Sequence, residues 1–190
     1  TPAALLHTVV SRCQRIDLQS DSVAAVPPWR EELIGLLKMQ TSGPFLTALG
    51  RTALLRRLLA GIKAAVEESE GADLSVTDRD NAGDDEGLVA EPEKDVVVAR
   101  IEARYREERT AVLGAVLRWY RDILLCHCGV EDPGVLFYPG HAEHLRRVAG
   151  NLTYRQAVGN IEAVEAMQRQ LGRSLVEEAV LMRGFAQLAA

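Results

Sequence analysis

The stretch "DVVVARIEARYREERTAVLGAVLRWYRDILLCHC", residues 95–128, decides the fold of this chain. Its apolar residues recur every three or four positions and charged residues fill the gaps, which is typical of an amphipathic helix. Gly129 and Pro133 follow as helix-terminating residues. We therefore predict a helix from about Glu93 to Cys128. Its expected core-facing residues are Val97, Ile101, Tyr105, Val112, Val116, Trp119, Tyr120, Ile123 and Leu124.

Three shorter helices are predicted after this one, with short connections between them. The first is "GHAEHLRRVAGN" (140–151), and Thr153 caps the second, which ends near Gly172. Ser174 with Glu177 three residues later forms a capping-box pattern for the third. Residues 93–190 therefore read as a bundle of about four helices.

The N-terminal part of the chain also has mainly helical patterns. We predict a short helix over residues 2–10, a short strand over 15–19 and helices over 29–39 and 45–68. In the last of these, the expected buried stripe is Leu46, Leu49, Ala53, Leu54, Leu58 and Ile62.

The acidic charge is concentrated between these two parts. Twelve acidic and two basic side chains lie between Glu67 and Asp95, so this segment contributes −10 to a formal net charge of −5 and the rest of the chain carries +5. Residues 69–92 are rich in Gly, Asp, Asn and Ser and have no helical period. This composition predicts a flexible acidic linker. A mimic of nucleic acid is the alternative.

The overall composition favours an all-α protein. Hydrophobic residues make up 47% of the chain but aromatic ones only 5%, a balance that suits helices packed on helices better than a β-sandwich. No apolar run approaches the roughly 20 residues that cross a bilayer, and no export signal is evident. We therefore expect a cytoplasmic protein.

The sequence offers little catalytic chemistry. Cys126, His127 and Cys128 do not have zinc-ligand spacing, since successive side chains on a helix point about 100° apart. Packing is the preferred interpretation of these residues, and we expect His141 and His144 to be surface histidines. No phosphate-binding loop or hydrolase motif occurs, and Cys126 with His127 makes a poor nucleophile and base. We predict a non-enzymatic chain without metal or cofactor.

One basic cluster needs explanation. No acidic residue occurs from Leu33 to Val66, where the basic side chains are Lys38, Arg51, Arg56, Arg57 and Lys63. The preferred interpretation is a helix with a basic face towards solvent. A face that contacts phosphates is the alternative, because such contacts need only clustered positive charge.

Two further motifs resemble one protein family. "LLHTVVSRCQ" (residues 5–14) is similar to the segment that closes the nucleotide-binding domain of bacterial DNA polymerase III clamp-loader subunits, and "WYRDILLCHCG" (119–129) to their collar helix with its W-x-R-D motif. Residues 160–189 resemble the last two collar helices. The resemblance is strongest to delta-prime-type subunits. Between the motifs, only "ALGRTALLRR" (48–57) resembles the family's lid domain.

The resemblance implies a domain order and a role for the opening motif. Residues 1–19 would end a nucleotide-binding domain that lies mostly upstream, 20–68 would be a divergent lid, 69–92 the linker and 93–190 the oligomerising collar. Arg12, with Ser11 and Cys13 as motif neighbours, would be an arginine finger that reaches ATP held by a neighbouring subunit. A guanidinium suits this role because its fixed fork of donors can span phosphate oxygens. The resemblance leaves open whether Arg51 senses nucleotide.

The expected function is therefore that of a non-catalytic clamp-loader subunit. Its partners would be gamma/tau and delta subunits, and indirectly the sliding clamp and primer-template DNA. The alternatives are a gamma/tau-type subunit and a free-standing helical interaction module in which the Ser-Arg-Cys motif is accidental.

Overall fold

The computed structural model describes residues 26–80, 91–130, 132–173 and 175–189, without the side chains of 71–80 and 91–95. In these ranges the chain forms six α-helices, two 3-10 turns and no strand, so the all-α prediction is confirmed. The predicted helix over 2–10 and strand over 15–19 lie outside the described residues. The helices are α1 (Arg30–Lys38), α2 (Pro44–Asp80), α3 (Glu91–His127), α4 (Ala142–Gly150), α5 (Tyr154–Leu171) and α6 (Glu177–Gln187), and the 3-10 turns are Pro133–Val135 and Pro139–His141.

The long helix α3 is the centre of the fold. It packs against α2, α4 and α5, and α6 packs against both α2 and α5. The expected core-facing positions are confirmed along its second half, where Val112, Val116 and Trp119 are almost fully buried. All of α2 to α6 belongs to one compact unit, Glu31–Ala190.

The predicted buried stripe of α2 is partly wrong. Leu46 and Leu49 are about half exposed, whereas Thr47, Arg51 and Thr52 are buried together with leucines further along the helix. Apolar residues surround nearly the whole circumference of this helix, so their spacing did not select one face. The Thr52 hydroxyl donates a hydrogen bond to the Ala48 carbonyl, which allows a polar residue to lie on the buried side.

The linker prediction is wrong for residues 69–80, which continue α2 as a helix. Glu70 explains part of this result, because its buried side chain lies against α3. Its carboxylate accepts a hydrogen bond from Arg104 at 2.7 Å, and the Arg100 guanidinium lies 3.5 Å from the other carboxylate oxygen. The Arg104 hydrogen bond holds the pKa of Glu70 below its usual value. Local composition could not reveal these partners, which lie 30 and 34 residues away along the chain. Residues 81–90 of the predicted linker lie outside the described ranges.

The helix starts agree only in part with their predicted caps. Thr153 caps α5 in a reciprocal capping box with Gln156, as its sequence position predicts. The predicted box at the next helix depends on Ser174, which lies outside the described residues, and α6 begins at Glu177 with Val176 as its N-cap. The Glu177 carboxylate instead contacts α3, where it accepts hydrogen bonds from Tyr105 and Arg109.

Candidate functional site

The motif that carries the proposed arginine finger, Ser11, Arg12 and Cys13, lies outside the described residues. Its role stays a prediction. The other candidates from the sequence, which are the basic cluster, the cysteines and the histidines, all lie in helices or at helix ends of the described part.

Arg51 is a buried structural residue, so its expected place on a solvent-facing or phosphate-contacting face is wrong. Its side chain is only 5% exposed. The Nη2 group donates to the main-chain carbonyls of Leu37 at 2.9 Å and Met39 at 3.0 Å, and Nη1 donates to the Tyr120 hydroxyl at 3.3 Å. Arg51 thereby ties the C-terminal end of α1 to α2 and α3.

The remaining members of the basic cluster are less buried than Arg51. Arg56 forms an ion pair with Glu178 of α6, and Lys63 forms one with Glu102 of α3 at 2.8 Å. The hydrogen bond with Glu102 raises the pKa of Lys63. Arg56 and Arg57 are exposed, in agreement with a basic face towards solvent, although Arg56 and Lys63 also form ion pairs between helices. Phosphate contact by these side chains stays an untested alternative.

At the end of α3, Cys126 and His127 are partly buried and pack against the bundle, whereas Cys128 is exposed, so the packing prediction is wrong for Cys128. Burial raises the pKa of the Cys126 thiol, which makes a thiolate nucleophile less available. The Nδ1 atom of His127 lies 3.1 Å from the carbonyl oxygen of Ala149, so this side chain links α3 to α4. Across the ranges the structure describes, no three metal-ligating side chains come together.

His141 and His144 are half-buried, and the prediction of surface histidines is wrong. Both rings contact the indole of Trp119, with centroid distances of 5.9 Å and 5.8 Å. The Nδ1 atom of His141 lies 3.0 Å from the Lys38 ammonium, and that of His144 lies 2.8 Å from the Arg147 guanidinium. The spacing of the two histidines is evident in the sequence, but their shared contact with the Trp119 indole of α3 is not.

The W-x-R-D motif forms a buried joint in the bundle. Trp119 packs edge-to-face against Tyr138 at 5.3 Å between ring centroids. Asp122 is completely buried, and its carboxylate accepts a hydrogen bond from the Tyr138 N–H at 2.9 Å. Arg121 lies 3.2 Å from the same carboxylate. Each motif residue thus holds the loop between α3 and α4 against the core.

Tyr138 is a residue of this joint that the sequence analysis missed. Its hydroxyl donates to the Ala115 carbonyl of α3 at 3.0 Å, and its side chain is buried. An aromatic residue in a loop between two prolines, "DPGVLFYPG", was the available signal. Prolines restrict such a loop, and an aromatic anchor then fixes it to the helix.

A second network joins α3 to the start of α6. Tyr105 and Arg109 both donate to the Glu177 carboxylate, and Arg109 also donates to the Leu171 carbonyl at 3.2 Å. Burial, with the nearby Glu177 charge, raises the pKa of Tyr105 to about 12. Tyr105 is therefore a neutral hydrogen-bond donor at physiological pH.

One part of the surface is unusually apolar. On α2, Phe45, Leu46 and Leu49 are 64%, 52% and 48% exposed, and Val176 before α6 is 72% exposed. A groove of about 400 Å³ runs between the two helices. It is lined by Leu49, Thr52, Ala53, Arg56, Val176, Glu178, Ala179 and Met182, and is called the apolar groove below.

No helix in the described ranges is both long enough and apolar enough to span a membrane. Comparisons of the chain with family models, curated proteins and solved structures gave no match.

Proposed function

We propose that this chain is the lid-and-collar region of a delta-prime-type subunit of a DNA polymerase III clamp loader. In this role it assembles with gamma/tau and delta subunits through its helical bundle in the cytoplasm, and it hydrolyses no ATP itself. A gamma/tau-type subunit is the nearest variant of the proposal, because the two types share the collar architecture that the resemblance implies.

The observation that carries the proposal is the W-x-R-D joint. The motif resembles the collar helix of this family, and its Trp119 and Asp122 lie in the core of a helical bundle. A motif that builds the framework of a bundle is what an oligomerising domain requires, since assembly needs a rigid surface. This placement supports a collar role without assigning contact residues to it.

Arg12 supplies the catalytic part of the proposal. As the arginine of the Ser-Arg-Cys motif, it would stabilise the charge that develops on the γ-phosphate of ATP bound to the neighbouring subunit. Lysine could not replace it, because an ammonium group cannot donate in parallel to two phosphate oxygens.

A free-standing helical interaction module is the second candidate, and one observation favours it. Glu31–Ala190 form one compact unit, whereas the clamp-loader resemblance leads us to expect a lid and a collar separated by a linker. The apolar groove between α2 and α6 gives such a module a binding surface. In this case the chain would act through one protein partner and would have no role in ATP turnover.

The test is ATP turnover by a reconstituted clamp loader that contains the chain in its natural full-length protein. Arg12→Ala should leave the complex assembled and lower DNA- and clamp-stimulated turnover by roughly 10³-fold. Arg12→Lys should lower it almost as much.

Arg15→Ala is the matched control, because it removes a neighbouring arginine outside the motif and should leave turnover unchanged. Size-exclusion chromatography checks assembly of every variant. Normal turnover in an assembled Arg12→Ala complex would remove the trans-finger role. Failure of the wild-type protein to join the loader would favour the interaction module instead.

A further inference from the structure

The exposed side of α2 carries a second apolar stripe. Leu46, Leu49 and Ala53 follow one another at intervals of three and four residues, which is the spacing by which one helix packs against another. All three side chains are exposed, as is the adjacent Phe45. Within the described ranges no other element covers this stripe, so packing inside the chain does not account for its apolar spacing.

Part of the stripe forms one wall of the apolar groove, and α6 forms the other. Leu49 lines the groove on the α2 side, and the exposed Val176 lines it at the start of α6. The floor is closed where the Thr52 hydroxyl lies 3.7 Å from the sulfur of Met182. Exposed apolar surfaces that continue over two elements are typical of protein–protein contact sites. The groove is therefore a place where further helices can pack.

The charged residues among those that line the groove are one base and one acid. Arg56 of α2 and Glu178 of α6 form an ion pair at 2.8 Å, and their side chains remain 49% and 59% exposed. Both can therefore also approach the charges of a molecule bound in the groove. A patch with one sign of charge would repel a second copy of itself, whereas this patch presents each sign once. The groove is thus complementary in charge to another copy of the same groove.

From these features we propose that the apolar groove is a homodimer interface, in which α2 and α6 of one copy pack against α2 and α6 of a second copy as a four-helix bundle. A two-fold axis along the groove places α2 of each copy against α6 of the other. This rotation brings Arg56 of one copy opposite Glu178 of the second copy and removes Leu49 and Val176 of both copies from water. The inference depends on neither a clamp-loader partner nor Arg12, so it stands or falls separately from the proposed function.

The size of the groove predicts a reversible dimer. The part of α2 between Phe45 and Arg56 is about 17 Å long, because each residue of a helix adds about 1.5 Å. Two helices of this length give an interface near the small end of specific protein–protein interfaces, where complexes are weak or transient. We therefore expect the two copies to associate in the micromolar range.

The test is sedimentation equilibrium of the chain at concentrations from about 1 to 100 μM, which bracket a micromolar dissociation constant. We expect the average mass to rise from the monomer towards the dimer over this range. Leu49→Asp should abolish the rise, because the dimer would bury a carboxylate among apolar side chains. Val135→Asp is the matched control, since Val135 is 44% exposed but does not line the groove, and it should dimerise like the wild type. Circular dichroism checks that each variant is folded.

Two charge reversals at exposed positions test the contact without disturbing the core. Glu178→Arg gives each groove two positive charges and Arg56→Glu gives it two negative ones, so either variant alone should dimerise at least about tenfold more weakly, because like charges meet. An equimolar mixture of the two should associate about as strongly as the wild type. A mixture that associates no better than its components, or a dimer that Leu49→Asp leaves intact, would overturn the proposal. A wild-type chain that stays monomeric would also overturn it and would leave the groove to a different protein.

Discussion

Replacement of Arg51 by methionine tests whether this residue stabilises the fold or serves a charged surface. Methionine keeps the apolar stem of the side chain but removes all of its donors. The carbonyls of Leu37 and Met39 and the hydroxyl of Tyr120 then lose their partner. Hydrogen bonds from a charged donor contribute about 1.5–3 kcal/mol each. Relief of the desolvation cost of the guanidinium offsets part of the loss.

We expect Arg51→Met to lower the free energy of unfolding by about 3 kcal/mol, or the melting temperature by roughly 6–12 °C for a chain of this size. The assay is urea unfolding followed by far-ultraviolet circular dichroism. Arg57→Met is the matched control, because Arg57 is on the same helix but exposed, and its change should stay within about 0.5 kcal/mol. Equal stability of the two variants would refute the structural role of Arg51.

Three further predictions concern the bundle. Burial raises the pKa of the Asp122 carboxyl despite the opposing Tyr138 hydrogen bond, so the protonated form is favoured in the folded state. The stability of the wild type relative to Asp122→Asn should therefore fall as the pH rises above about 4, and parallel pH profiles would contradict this. Gly184→Ala should destabilise by about 1–3 kcal/mol, because the added methyl group would clash with a buried methionine of α5. Gly159→Ala, whose added methyl group would meet nothing within 4 Å, should be neutral or stabilising by up to about 1 kcal/mol when both variants are measured by urea unfolding. The Cys126→Ala/Cys128→Ala variant should fold with a loss of about 1 kcal/mol, mainly from the partly buried Cys126 because Cys128 is exposed, and zinc found by elemental analysis at one ion per wild-type chain would disprove the packing role of Cys126.

Periodicity predicted α3 well because that helix has one clear apolar face. The same reasoning failed for α2, where apolar residues lie on nearly every side and Arg51 is buried through long-range hydrogen bonds. The end of α2 was missed for a related reason, since Glu70 is held by Arg100 and Arg104 from a different helix. Local composition contains no information about such partners.

The candidate sites show the same limit. The sequence shows His141 and His144 three residues apart but could not show that both rings contact Trp119 of α3, or that Lys38 of α1 lies beside His141. It identified the W-x-R-D motif by resemblance, whereas the role of Tyr138 as its partner depends on how the loop after α3 folds back. Pairwise contacts between distant elements are what the sequence alone did not supply.

The most direct test of the clamp-loader proposal is native mass spectrometry of the full-length protein mixed with gamma/tau and delta subunits from the same organism. The proposal predicts a stoichiometric complex that contains all three subunits. A variant with Leu49→Asp and Val176→Asp in the apolar groove shows whether that surface takes part in assembly. Only free subunits and a gamma/tau–delta complex without this protein would contradict the account.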